Sequence, residues 1–405
     1  MTRPAPALAG IRVVDLTTVI FGPSATQVLA DYGADVIKVE APGGDSTRQT
    51  GPTAETGMAS LFLGSNRNKR SVVLDLKRAE AREALNALIA TADIFIHNVR
   101  PQKLAGLGLD PDTVRANHPR LIYIGLHGFG EDGPYGGLPA YDDIIQSLSG
   151  AADLGRRQTG VPRYMPTIVA DKVAGQMAAH AALAALFQRE RTGKGQFIEV
   201  PMFEVMVQFL MIEHLNARQI VSPTDDGPHG PEAMGYARTL AEWRKPYATR
   251  DGFVCLMPYN DRDWRAFFAA VGREDLSGDP RFANIADRTR NIAELYRLLE
   301  TIIAQDSTAH WLELGERLGI ACAAVNSLAD LETDPHLSAV GMFGMLPAST
   351  DWSMRYVRSP IRMTGSSVDP HLPPRLGEHT REVLAAIGLA TDLIDLLANS
   401  RNESQ

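Results

Sequence analysis

Ile11-Arg12-Val13-Val14-Asp15-Leu16, then Gly22-Pro23-Ser24, then Asp35-Val36-Ile37-Lys38-Val39-Glu40 is the stretch that decides the fold. The first run is short and mostly apolar, as a buried strand requires. In the second, Pro opens a helix and Ser satisfies free amides. That helix is expected from about Ser24 to Tyr32, stopping at Gly33, where a left-handed residue terminates it without steric cost. The third run is another strand. Strand, helix and strand at this spacing imply a parallel pair joined by a right-handed crossover.

Outward from this unit the pattern recurs. Ser71–Leu76 reads as a strand, Glu80–Thr91 as a helix, and Asp93–His97 as a strand again. Leu121–Leu126 is a further apolar strand ending in the turn Gly128-Phe129-Gly130. Tyr141–Leu148 and Lys172–Gln188 have helical texture, and Gln196–Pro201 returns to a strand. The whole is an α/β domain with a mostly parallel sheet. Over Pro223–Pro231 periodicity gives way to Pro, Gly, Asp and His, the composition of a boundary. Between Glu242 and Asp330 a second unit follows. It has a strand pair (Lys245–Ala248, Phe253–Pro258), three helices (Asp263–Val271, Ile292–Ala304, Thr308–Gly315) and a short strand over Ile320–Asn326. The tail is Pro-rich, with its last helix near Thr380–Ile387. The expected division is a large domain over 1–222, a smaller α+β domain over 223–330, and a segment over 331–405 returning to the large domain.

Composition narrows the function classes. The chain has 405 residues, 44% hydrophobic and 22% charged, enough for one large core or two smaller ones. A net charge of -8 argues against a nucleic-acid partner, which needs a basic face. Cys255 and Cys322 are too few for a disulfide framework or a zinc site, so a reducing cytoplasm is expected. No secretory signal is read at Met1–Gly10. The apolar runs Ala178–Phe187 and Met202–Met211 are well short of the ~20 residues of a spanning helix, so no membrane is expected.

Motifs narrow them further. Val19-Ile20-Phe21-Gly22-Pro23-Ser24 is not the G-x-G-x-x-G of dinucleotide-binding proteins, and no phosphate-binding P-loop is present. No G-x-S-x-G elbow points to a serine hydrolase. Arg67, Lys69, Arg70 and Lys77, with Arg100 and Lys103 beyond the next strand, form a basic cluster. It fits either the phosphates of an ADP-bearing ligand or a solvated loop. Asp171 precedes an alanine-rich helix, where a carboxylate serves as a cap or, held ionised by the local amides, as a nucleophile. His127 and His180 lie in apolar surroundings as ordinary structural histidines. His229 has no ligand-spaced partner, and no metal is expected.

These segments together resemble the class III CoA-transferases, the carnitine and bile-acid CoA-transferase family that includes formyl-CoA transferase. The matching blocks are Leu8–Leu16, Gly33–Glu40, Asn68–Lys77, Asn98–Pro101, Gly128–Pro134, Thr192–Gln196 and Leu376–Thr380, in family order. Each is weak alone, and the set is specific. The resemblance implies a Rossmann-like large domain built from both chain ends, a smaller domain between, and a homodimer of two interlocked rings. It implies that Asp171 is the catalytic aspartate, moving CoA from an acyl-CoA donor to a carboxylic acid through an aspartyl anhydride and an aspartyl-CoA thioester. It implies no tightly bound cofactor, with CoA and acyl-CoA as substrates.

By motif, Leu74, Asp75 and Lys77 match the segment at the adenine and phosphates. Asn98, Val99 and Arg100 match the next strand end, and Val19 and Ile20 the turn beside the pantetheine. Two departures touch the phosphate partners: Ala41-Pro42 stands where the family often has a basic residue, and Gly106 where formyl-CoA transferase has arginine. The α-methylacyl-CoA racemases share the fold and use a histidine as second base. That position here is Tyr141, whose ordinary pKa near ~10 makes it a poor base at neutral pH. Transferase is therefore favoured over racemase, and a non-catalytic acyl-CoA-binding protein stands as a third reading. Tyr236, Arg238 and Arg244 are candidates for gripping a second carboxylate, as a dicarboxylate acceptor requires.

Overall fold

In the computed structural model, which describes residues 4–221 and 233–399, six strands pair in one parallel sheet. The chain runs β1 (Arg12–Leu16), α1 (Phe21–Asp31), β2 (Asp35–Glu40), β3 (Lys69–Val73), α2 (Ala79–Ile89), β4 (Ile94–His97) and β5 (Ile122–His127). It continues through α3 (Asp142–Leu148), α4 (Val169–Thr192) and β6 (Phe197–Pro201). The spatial order is β3-β2-β1-β4-β5-β6. Val13 of β1 lies opposite Val36 on one side and Ile94 on the other. Strands flanked and covered in this way are buried on both faces, so they read as continuous Val and Ile runs rather than as alternation. The order reverses at β1, opening a crevice between the carboxyl ends of β1 and β4, where open α/β sheets bind ligands.

Local differences from the sequence reading have physical causes. α1 begins at Phe21 rather than Ser24, which puts Pro23 in its first turn, where its missing N–H leaves nothing unpaired. It ends as expected before Gly33, at φ 92°. The helix read from Lys172 begins at Val169 and runs to Thr192, because Ala170, Ala174 and Ala178 form its buried face. The boundary run Pro223–Pro231, with His229, lies outside the described residues.

Contacts divide the chain into two units, 1–149 with 166–208 and 339–405, and 150–165 with 209–338. In the second unit, β7 (Tyr247–Ala248), β8 (Phe253–Met257) and β9 (Ala321–Ala324) form an antiparallel sheet. α5 (Asp261–Ala270), α6 (Ile292–Ile303) and α7 (Thr308–Leu318) enclose an aromatic core with Trp264, Phe267, Phe268 and Trp311. The tail then forms the hairpin β10 (Phe343–Pro347) and β11 (Ser353–Val357), absent from the sequence reading, and helix α8 (Thr380–Ala386). A helix α9 (Thr391–Asn399) follows the one read as last. Val383, Leu384, Ile394 and Leu397 of these helices share one core with Val14, Leu85 and Phe95. Burying such side chains is worth about 1.5–3 kcal/mol each, which makes the tail an integral part of the sheet domain. No helix among the described residues is long and apolar enough to cross a membrane.

Candidate active site

The site is built on the turn that leaves β1. Asp15 accepts hydrogen bonds from the Thr17 N–H (2.9 Å) and hydroxyl (2.5 Å), fixing where the turn begins. Asn98, just past β4, accepts from the Thr18 N–H at 3.0 Å and donates to the Thr18 carbonyl at 2.9 Å. The Val19 N–H donates to the Asp45 carboxylate. These ties hold Val19 at φ 69°. A β-branched residue takes this conformation only when its surroundings impose it, and such strain gathers at functional sites.

Helix α4 meets α1 closely because Gly175 has no side chain: a Cβ there would lie 2.1 Å from the Ser24 hydroxyl and 2.9 Å from the Phe21 carbonyl. The approach brings the Phe21 N–H within 3.1 Å of Asp171 Oδ1. Asp171 is not the helix cap. Ile168 holds that position, and Asp171 sits within the first turn, 8% exposed. Burial pushes its carboxyl up from the usual value to about 6; the neighbouring Asp142 carboxylate adds to the rise, and the Phe21 N–H opposes it. Asp142 is itself fixed, accepting from the Ala170 N–H and the Gln146 amide, each at 2.6 Å. At neutral pH Asp171 is then mostly ionised yet more basic than an ordinary aspartate, the combination a carboxylate nucleophile needs.

Asp171 lines a cleft of about 270 Å³ at the β1–β4 crevice. Of the residues singled out in the sequence, Val19, Asn98, Val99, Arg100 and Tyr141 line it too. Tyr141 is 70% exposed and caps α3. Ile20 is buried beside the turn and is not part of the wall. Leu74, Asp75 and Lys77 also lie outside it. They follow β3, two strands or roughly 10 Å from β1 on the same carboxyl edge, with Leu74 buried and Lys77 exposed. Tyr236 and Arg238 belong to the second unit, where the Arg238 guanidinium covers the Tyr259 ring at 5.4 Å.

Two sequence readings need correction. The basic cluster is largely internal to the fold: Arg67 pairs with Asp31, buried Lys69 with Asp15, and Arg70 with Asp35 and Glu382. Among its members Lys77, Arg100 and Lys103 are exposed. His127, read as lying in apolar surroundings, faces Glu199 at 2.9 Å and Glu131 at 3.5 Å. His180 is exposed, as a surface histidine. The sequence reading also missed Asp142 and Asp45. Asp142 stood in view as an acid opening a helix after a glycine-rich loop, whereas nothing local linked Asp45 to Val19.

The family model described as CoA-transferase family III matches residues 8–380. The chain belongs to that family. Succinate–glutarate CoA-transferase of Agrobacterium fabrum is 34% identical over 96% of this chain and 97% of its own length. Formyl-CoA:oxalate CoA-transferase of Streptomyces avermitilis is 31% identical, over 97% and 98%. The crystal structure of a CaiB/BaiF family protein from Brucella suis superposes with a TM-score of 0.79 at 32% identity, covering 95% of this chain and 100% of that one. The class III family thus accounts for the sheet order and for nearly the whole chain.

Proposed function

We propose that this class III enzyme moves CoA between carboxylic acids by covalent catalysis at Asp171. A buried carboxylate on a cleft wall, one oxygen held by the Phe21 N–H, carries the reading. The Asp171 carboxylate attacks the donor thioester carbonyl, the C–S bond breaks, and CoA thiolate leaves a mixed anhydride. The thiolate attacks the aspartyl carbonyl of that anhydride, the C–O bond breaks, and the donor acid departs from an aspartyl-CoA thioester. An acceptor carboxylate then reverses both steps. Each step exchanges one activated acyl bond for another, so no nucleotide is consumed and water must be kept from the intermediates. The Gly128 amide, on the cleft wall, is the donor we assign to the developing oxyanions.

Val19 would flank the pantetheine, with Ile20 buried next to it in the turn, Asn98, Val99 and Arg100 the phosphates, and Leu74, Asp75 and Lys77 the adenosine end. The shared carboxyl edge supports this assignment, since a ligand as long as CoA must extend past the cleft. The Agrobacterium relative's name favours dicarboxylates, with succinyl-CoA as first donor to test and Tyr236 and Arg238 as partners of the second carboxylate. The enzyme is proposed to act as a cytoplasmic homodimer, which light scattering after gel filtration tests.

Mass spectrometry of acyl-CoA-treated protein is the deciding experiment. A hydroxylamine-sensitive adduct is expected on Asp171 and none in Asp171→Ala. An unmodified Asp171 during turnover overturns the mechanism, and α-carbon deuterium exchange without transfer would favour the racemase reading.

A further inference from the structure

A second cavity of about 370 Å³ lies beside the cleft, and His127 and Glu131 line both. His127 ends β5, Glu199 sits on the paired strand β6, and Glu131 follows in the loop after β5. The Nδ1 atom of His127 is 2.9 Å from Glu199 Oε1 and 3.5 Å from Glu131 Oε1. The ligand atoms of all three lie within 4.8 Å of one another. One ring nitrogen carries at most one hydrogen, so it cannot satisfy two carboxylates at once. The Glu131 N–H donates to Glu199 at 3.0 Å and the Gly137 N–H to Glu131 at 3.2 Å, but no lysine or arginine pairs with either glutamate among the described residues.

We propose that His127, Glu131 and Glu199 bind one divalent first-row transition-metal ion. The donor set of one imidazole and two carboxylates suits such ions. Ligands bonded at about 2.0–2.2 Å with tetrahedral angles stand about 3.3–3.6 Å apart, and the two measured separations need shifts of only a few tenths of an ångström to meet that spacing. An independent observation comes from His97, which lines the same cavity and is 1% exposed. Neither of its ring nitrogens has a partner at hydrogen-bonding geometry; only the Val99 backbone is near enough to be felt. Buried polar groups ordinarily have partners. An ion held by three protein groups keeps a position for water, and we assign that water to the side of His97, whose ring centroid stands 6.0 Å from that of His127. The ion would join β5 and β6 to the loop that carries Tyr141 to the cleft. The site therefore adds a brace rather than a step to the chemistry proposed above, and its existence does not depend on that chemistry.

The test uses the full-length protein, stripped with a chelator and titrated with Zn²⁺ by calorimetry and with Co²⁺ by visible absorption. One equivalent is expected to bind, with ligand-field bands for Co²⁺. Outer-sphere groups typically contribute about 10–100-fold to metal affinity, so Glu131→Gln or Glu199→Gln should each weaken binding by at least that much. The double variant should lose the first equivalent while its circular dichroism spectrum is unchanged. Failure of the native protein to bind one equivalent below millimolar ion overturns the proposal. Equal binding by a folded double variant overturns it as well.

Discussion

Asp15 and Asp171 hold the two ends of one turn, both are buried, and they have opposite electrostatics. Asp15, 0% exposed, accepts from Thr17 at the start of the turn, while Asp171 accepts from Phe21 at its end. Burial raises both carboxyls. Around Asp15 it is outweighed by Lys69, Lys38 and the Thr17 and Thr26 hydroxyls, so that carboxyl lies below its usual range. Around Asp171 burial is reinforced by the Asp142 carboxylate, and its carboxyl rises to about 6. Cations gather on the structural aspartate, whereas among the described residues no lysine or arginine pairs with its neighbour. Burial is common to the two, and the surrounding charges separate the scaffold carboxylate from the proposed nucleophile.

The sharpest way to test this contrast is to remove each charge in turn. Asp171→Asn keeps the shape and removes the proposed nucleophile. Transfer from acyl-CoA is expected to fall by more than about 10⁴-fold, equivalent to roughly 5 kcal/mol, read as kcat with unchanged circular dichroism. An activity loss below tenfold would deny Asp171 a covalent role. On the other side, Lys69→Met strips Asp15 of its contacting cation in a site without water access. Leaving a buried charge uncompensated costs about 3–5 kcal/mol, which urea denaturation would register as a lower midpoint at constant slope. A variant as stable as the native protein would show that Lys38 alone balances Asp15.

The sheet was legible from the sequence because its signal is local. Asp35–Glu40 reads as a buried strand from its own residues, and the observed strand has those bounds. The candidate site was legible where a block of sequence carried it, as at Asn98–Arg100, and where a carboxylate opens a long helix, as at Asp171. What stayed hidden depends on register and on contacts across the chain. Lys69 and Arg70 read as free cations until the pairing of Val36 with Lys69 and of Ile37 with Arg70 brings β3 beside the acids of β1 and β2. Glu199 joins His127 only because Gly125 pairs with Glu199. The hairpin over 343–357 was masked by the prolines around it, since composition there points to loop.

The pH dependence sharpens the comparison on a smaller scale. Folding raises the Asp171 carboxyl from 3.8 to about 6, so the folded chain holds that proton more tightly than the unfolded chain. Below pH 3.8 both states are protonated and nothing is lost. As pH rises towards 6 the unfolded chain ionises first and the native state loses stability, by about 2–3 kcal/mol once the change is complete. Asp171→Asn escapes this loss. Its stability relative to the native protein is expected to grow between pH 4 and 6.5 and then level off, with transfer activity of the native enzyme rising over the same interval. A difference constant with pH would mean that the carboxyl is not raised.

The smallest expected effect lies between the two aspartates, at Val19. Its φ of 69° is one that glycine adopts freely and a β-branched residue does not. Val19→Gly removes strain worth about 1–3 kcal/mol but gives the unfolded chain more freedom, by roughly 0.5–1 kcal/mol. The net expectation is a gain of about 1 kcal/mol in denaturation. If the strained turn also presents the amides that hold substrate, the same variant should raise KM for acyl-CoA while gaining stability, because a looser turn is ordered only on binding. Stability and KM moving in these opposing senses would tie the strain to function. A gain in stability with KM unchanged would make the turn a structural consequence of Asp15 and Asn98 alone.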